Sequence, residues 1–82
     1  MLRLLVKTQY DPQQVITRAT GYFAQGLGME ARPQSDTCVT FTGGGGYVTV
    51  TAEAGEGGRG SQVTLETREW EYDTQRFAQE IG

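Results

Sequence analysis

The sequence predicts a single α+β domain with the element order β-α-β-β-β-β-α, in which both helices pack on one face of an antiparallel sheet. Three observations predict it. An amphipathic helical stripe lies between two short strand patterns near the start of the chain, and two glycine-rich loops at residues 43–46 and 55–60 separate three alternating strands. A short apolar helix pattern then closes the sequence. The 82 residues form one domain, 1–82, because a chain of this length supports only one core.

The first elements are a strand and a long helix. Residues 2–7 alternate between apolar and other side chains, which is typical of a half-buried strand. Asp11 predicts a helix N-cap, and Pro12 suits the first helical position because a proline there loses no hydrogen bond. The helix is expected to bury one stripe with three- and four-residue spacing, made of Val15, Ile16, Ala19, Tyr22, Phe23 and Leu27.

The second strand and the last helix are short. Residues 29–32 predict a strand that Pro33 closes, and the missing N–H of a proline favours an edge position in the sheet. Near the end of the chain Asp73 is expected to cap a helix. The apolar side of that helix consists of Phe77, Ala78 and Ile81.

The two glycine-rich loops predict the register of the three central strands. A hairpin about residues 43–46 has the pairs Phe41–Val48, Val39–Val50 and Thr37–Ala52. A hairpin about residues 55–60 has the pairs Ala52–Val63, Val50–Leu65 and Val48–Thr67. Both hairpins place the same residues of the middle strand on one apolar face, and a slip of one residue would destroy this agreement. Both helices must cover that face to bury their own stripes.

The opposite, open face of the sheet is the predicted binding surface. Its rows are Cys38–Thr51–Thr64, Thr40–Thr49–Glu66 and Thr42–Tyr47–Arg68, with Trp70 next along the last strand. Tyr47, Arg68 and Trp70 have two readings: a packing and cation–π contact that closes the end of the sheet over the last helix, or an anchor for a ligand or second subunit. The predicted ligand- or partner-binding residues are Thr42, Thr49, Tyr47, Glu66, Arg68 and Trp70.

The element order resembles one repeat of the TATA-binding-protein-like fold, and it is similar to a minimal helix-grip domain of the Bet v 1 and START-like group. The resemblance covers the whole chain as element order and includes no sequence motif. It implies that the helices cover one face of a curved sheet and that the other face binds something. Because TATA-binding proteins carry two repeats in one chain, a single repeat implies a homodimer. The chain departs from the DNA-binding members in being acidic, and from the full helix-grip group in being too short for their cavity.

Charge and composition disfavour several classes of protein. The net charge is −3 and the seven basic residues are scattered along the chain, whereas nucleic-acid binding usually needs a basic stripe on one face. No segment approaches the roughly 20 apolar residues needed to cross a bilayer, and no signal-peptide pattern opens the sequence. With a single cysteine, Cys38, these features predict a cytoplasmic protein without a membrane segment.

No motif in the sequence predicts catalysis. There is no histidine to activate Cys38 or to complete a Cys/His metal site. Residues 55–60 match G-x-G-x-x-G, but a strand pattern follows them where a dinucleotide site needs a helix. Residues 43–46 lack the Gly-Lys-Ser/Thr ending of a phosphate-binding loop. Glu66 and Glu69 point to opposite faces in a regular strand, which disfavours a carboxylate pair. We therefore expect no enzyme activity, no cofactor and no metal.

The leading functional hypothesis is a binding or interaction module that is homodimeric through its open sheet face or an edge strand. The alternative is a small-ligand-binding or ligand-dependent regulatory domain that uses the same face. A third hypothesis, an enzyme that uses carboxylates alone, has the least support from the sequence.

Overall fold

The computed structural model describes all 82 residues and confirms the α+β class. The elements are β1 (Leu2–Thr8), α1 (Pro12–Ala19) with a π-helical continuation (Thr20–Gly26), β2 (Glu30–Ser35), β3 (Cys38–Gly43), β4 (Gly46–Ala54), a 3-10 turn (Glu56–Gly58), β5 (Ser61–Arg68) and α2 (Glu71–Ile81). The strands form one antiparallel sheet in the order β1-β5-β4-β3-β2. None of the helices combines the length and the apolar composition that a membrane-spanning helix requires.

The N-terminus of α1 has the predicted cap. The side chain of Asp11 accepts a hydrogen bond from the backbone of Gln14 at 2.8 Å, and the Gln14 side chain accepts one from the backbone of Asp11 at 3.0 Å. At the other end, Thr20 donates its hydroxyl to the Ile16 carbonyl at 2.9 Å, and the helix widens into π turns from this residue onward. The π turns change the helical period and rotate the apolar stripe around the helix. As a result Leu27, which was predicted to be buried, is 36% exposed.

The predicted hairpin registers are confirmed. Phe41 pairs with Val48, and Val50 pairs with both Val39 and Leu65. The backbone N–H of Ala52 bonds the carbonyl of Thr37 at 2.8 Å, one residue beyond the end of the β3–β4 ladder. The two helices lie on one face of the sheet and enclose a core made of Val15, Ala19, Phe23, Met29, Val39, Phe41, Val48, Val50, Ala52, Val63, Leu65, Phe77 and Ile81.

Three predicted boundaries are wrong. Pro33 lies inside β2 and does not end it, although the strand is at the sheet edge as expected and its register shifts between Pro33 and Ser35. β5 ends at residue 68 because Glu69 has a left-handed backbone, with φ of 77°. This bend brings Trp70 to the N-cap of α2, so Asp73 lies in the first turn of the helix and is not its cap.

Candidate functional site

The open face, defined as the side of the sheet away from both helices, carries the rows predicted from the sequence. Thr51 lies between Cys38 and Thr64, and the other two rows are Thr40–Thr49–Glu66 and Thr42–Tyr47–Arg68. The edge strands extend these rows in a way that the sequence reasoning missed. β1 adds Leu5 beside Thr64 and Arg3 beside Glu66, while β2 adds Arg32 beside Thr40 and Glu30 beside Thr42. The alternation within β1 was visible in the sequence, but nothing local showed which strand it would join.

Hydrogen bonds between side chains hold the centre of the open face. The hydroxyls of Thr40 and Thr49 are 3.0 Å apart. Gln34 joins this pair to the neighbouring one: its amide donates to Thr40 at 3.3 Å, and its carbonyl oxygen accepts from the thiol of Cys38 at 3.2 Å. The Cys38 sulfur lies 3.4 Å from the hydroxyl of Thr51. The polar groups of β2, β3 and β4 therefore form one connected network, which limits the rotamers that these short side chains adopt.

The open face has a different charge from the rest of the molecule. Four basic side chains lie on it, Arg3, Lys7, Arg32 and Arg68, together with three acidic ones, Glu30, Glu53 and Glu66. It carries +1, and since the whole chain carries −3, the helix side and the loops carry −4. More than half of the basic residues thus share one face, contrary to the scatter expected from the sequence. Carboxylates are interleaved with them, and Arg3 pairs with Glu66 at 3.6 Å.

Trp70 does not lie on the open face, so its predicted placement there is wrong, while its role in binding stays a prediction. The left-handed bend at Glu69 turns the chain, and the indole packs against the core on the helix side. Its ring N–H donates to the carbonyl of Gly43 at 2.9 Å, and the ring lies directly under Gly44, where a Cβ would be 3.3 Å from it. Trp70 therefore closes the end of the sheet over α2, as the packing interpretation proposed.

The other five predicted residues share the open face. Tyr47 and Arg68 are direct cross-strand partners, and Thr42 lies on the other side of Tyr47. Thr49 and Glu66 form the adjacent row. The expected cation–π contact with Trp70 is not formed, because Arg68 and Trp70 lie on opposite sides of the sheet; the arginines that stack on rings are Arg18, over Tyr10, and Arg76, over Tyr72.

Concave sites lie elsewhere on the molecule. Four grooves exist, and none is lined by any of the six predicted residues. One of them lies between α1 and α2 and includes Tyr22 and Phe77. Burial raises the pKa of the Tyr22 hydroxyl, and the carboxylates of Asp73 and Glu80 raise it further. No group of three or more His, Cys, Asp or Glu side chains is placed to hold a metal ion.

The fold and the open face define a small α+β domain with one side of its antiparallel sheet uncovered. Comparison with known protein families, with characterised proteins and with solved structures gives no match. The likeness to TATA-binding-protein-like and helix-grip domains therefore rests on element order alone, and function has to be inferred from the surface itself.

Proposed function

We propose that this protein is a non-enzymatic binding module of the cytoplasm that works as a homodimer, through its open face or an edge strand. The observation that carries the proposal is the uncovered side of a five-stranded sheet, lined by short polar side chains that are already hydrogen-bonded to one another. Side chains that are ordered before binding lose little conformational freedom when a partner arrives.

Charge supports the same surface. The open face carries only +1 with both signs interspersed, so two copies can approach through it without strong repulsion. Tyr47 and Arg68 belong to the residue types that contribute most to protein interfaces, and both lie at one end of this face.

The shape of the face favours a macromolecular partner over a small ligand. Small-molecule sites are usually concave and enclose most of the ligand, and no groove of this protein is lined by a predicted site residue. The proposal assigns no catalytic residue, cofactor or metal. A thermal-shift screen of metabolites tests the alternative, since dose-dependent stabilisation that Thr49→Lys removes would favour a small-ligand binder.

Size-exclusion chromatography with light scattering tests the homodimer. The wild-type chain at micromolar concentration is expected to elute with twice the monomer mass, and a wild-type monomer contradicts the proposal. Thr49→Lys adds a charge at the centre of the open face and is expected to lower the mass only if that face, and not an edge strand, is the interface; Gln13→Lys adds the same charge on exposed α1 as the matched control. Gln13→Lys is expected to leave the mass unchanged.

A further inference from the structure

The two edges of the sheet differ in their protection. β2 contains Pro33, which has no backbone N–H, and its register shifts between Pro33 and Ser35; both features hinder the addition of another strand. β1 is a seven-residue strand without proline or bulge, and it pairs only with β5. A regular unpaired edge is a template for a further strand. We infer that β1 pairs with β1 of a second copy, an inference that rests on the proposed homodimer and identifies its interface.

The blocked edge explains why this pairing closes. A head-to-tail contact between β1 of one copy and β2 of the next would propagate into a filament, and Pro33 opposes it. An antiparallel β1–β1 contact is isologous and ends at two copies. Its two-fold axis must run perpendicular to the sheet, because only that axis makes a strand antiparallel to its own copy beside it. Both helix layers then lie on one side, and the two open faces join into one surface.

The charges of β1 exclude two central registers and allow those centred on Leu4 or Val6, of which the position of α2 favours Leu4. Arg3, Leu5 and Lys7 lie on the open face of the strand. If the two-fold axis passed at Leu5, Arg3 of each copy would lie opposite Lys7 of the other. If it passed at Arg3, the two Arg3 side chains would lie opposite each other. Like charges in direct opposition are destabilising. Centring the pair on Leu4 places Arg3 opposite Leu5 and Leu2 opposite Val6. In this register no two charged side chains face each other, and Leu5, which is 67% exposed, becomes covered.

The position of α2 fits the same centre. Glu71, at the start of the helix, lies 3.8 Å from the backbone nitrogen of Met1, and Gly82, after its end, lies beside Val6. The strand from residue 1 to 6 and the helix from residue 71 to 82 each span about 17 Å, so their lengths match. Ala78 lies about two thirds of the way along the helix, and Leu4 lies about the same fraction of the way along the matching stretch of strand. Ala78 therefore lies above Leu4, at the proposed two-fold axis.

Helix spacing allows the two copies to meet there. α2 contacts both β1 and β5, so its axis lies about half a strand spacing inside β1. Across the new pair the two α2 axes are separated by about two strand spacings, or about 10 Å, which is the usual distance between packed helices. The helical period places Gln75 and Ala78 on the same flank as Glu71, toward the β1 edge. An alanine at the crossing point permits close approach, and the two helices run antiparallel.

Single cysteines at α2 test this geometry. In a Cys38→Ser background, Ala78→Cys is expected to form a disulfide-linked dimer under mild oxidation, because the two Ala78 positions meet at the axis. Tyr72→Cys is the matched control: Tyr72 is 70% exposed, and in the antiparallel arrangement it lies six residues from the axis in each copy. A dimer that does not cross-link through residue 78, or that cross-links equally through residue 72, overturns the inference.

Charge variants measured by light scattering separate this inference from the proposed function. Leu5→Lys places a lysine opposite Arg3 of the partner twice and is expected to raise the dimer dissociation constant at least tenfold, while Thr49→Lys changes it less than twofold. If Thr49→Lys dissociates the dimer and Leu5→Lys does not, the two copies are joined through the open face. The β1 interface is then wrong, although the proposed homodimer is correct. A wild-type monomer contradicts both.

Discussion

Replacing Thr74 with valine is expected to stabilise the protein. Thr74 lies on the buried side of α2, and its hydroxyl has no hydrogen-bond partner. Valine has the same branched shape, so the substitution exchanges one hydroxyl for one methyl group with little change in rotamer freedom or helix propensity. The neighbouring turns of the helix place Phe77 and Ile81 on the same buried side, where a methyl group is well accommodated.

The expected gain has two sources. A buried hydroxyl without a partner costs about 1–3 kcal/mol relative to one in water. A buried methyl group contributes about 0.8 kcal/mol in addition. Allowing for incomplete relaxation, we expect the free energy of unfolding to rise by about 1–2 kcal/mol, which for a domain of this size corresponds to an increase in Tm of roughly 5–15 °C.

The chain contains a matched control for this substitution. Thr67 is equally buried, but its hydroxyl donates to the Tyr47 carbonyl at 2.8 Å. Thr67→Val makes the same chemical change and removes that hydrogen bond, so it is expected to lower the free energy of unfolding by about 1 kcal/mol. The two variants should therefore shift stability in opposite directions.

The stability of both variants is measured by urea denaturation, monitored by Trp70 fluorescence, and by thermal unfolding, monitored by circular dichroism. Equal m-values for the variants and the wild type would show that the difference lies in stability and not in the unfolded state. If Thr74→Val destabilises the protein as Thr67→Val does, the hydroxyl of Thr74 has a partner in solution and the reasoning from its burial is refuted.

Four further substitutions test the sheet end and the helix groove. Trp70→Phe removes the hydrogen bond to Gly43 and should cost about 1 kcal/mol in urea denaturation followed by circular dichroism, whereas an unchanged midpoint would show that the bond contributes nothing. Gly46→Ala should lower the free energy of unfolding by about 3 kcal/mol, because its Cβ would overlap the backbone of β5. Gly45 has a φ of 81° and open space around it, so Gly45→Ala should lower the free energy of unfolding by only about 1–2 kcal/mol. Equal losses for the two variants would contradict the packing at residue 46. Because the folded protein raises the pKa of Tyr22, the contribution of this group to stability is present below pH about 10 and is lost as pH rises further. Tyr22→Phe should remove this alkaline loss of stability in urea denaturation at a series of pH values, and an unaltered pH dependence would contradict the shift.

Much of the candidate surface was predictable because it depends on local features. Glycine loops of suitable length and strict apolar alternation on three consecutive strands specify one register, and the register specifies which side chains share a face. Five of the six predicted site residues consequently lie where the sequence placed them: Thr42, Thr49, Tyr47, Glu66 and Arg68. Their role in binding remains a prediction.

The errors arose where alternation or periodicity was extended past a change in the backbone. Trp70 was placed on the open face by counting along β5, but Glu69 adopts a left-handed conformation that ends the strand and turns the indole to the other side. Leu27 was placed on the buried stripe by an α-helical period, but the helix continues in π turns after Thr20. Neither change has a strong local signal, since Glu69 is not a glycine and π turns have no distinctive composition.

The α+β class, the element order and the register of β3, β4 and β5 could be predicted from the amino-acid sequence, because they depend on turns and on period-two alternation between strands that are neighbours along the chain. The pairing of β1 with β5 became known only from the tertiary structure. Strands so distant in sequence pair as the helices bury their stripes, and no local pattern encodes that choice. The same long-range pairing leaves one edge blocked by Pro33 and the other free, and it gathers Arg3, Leu5 and Lys7 at the free edge.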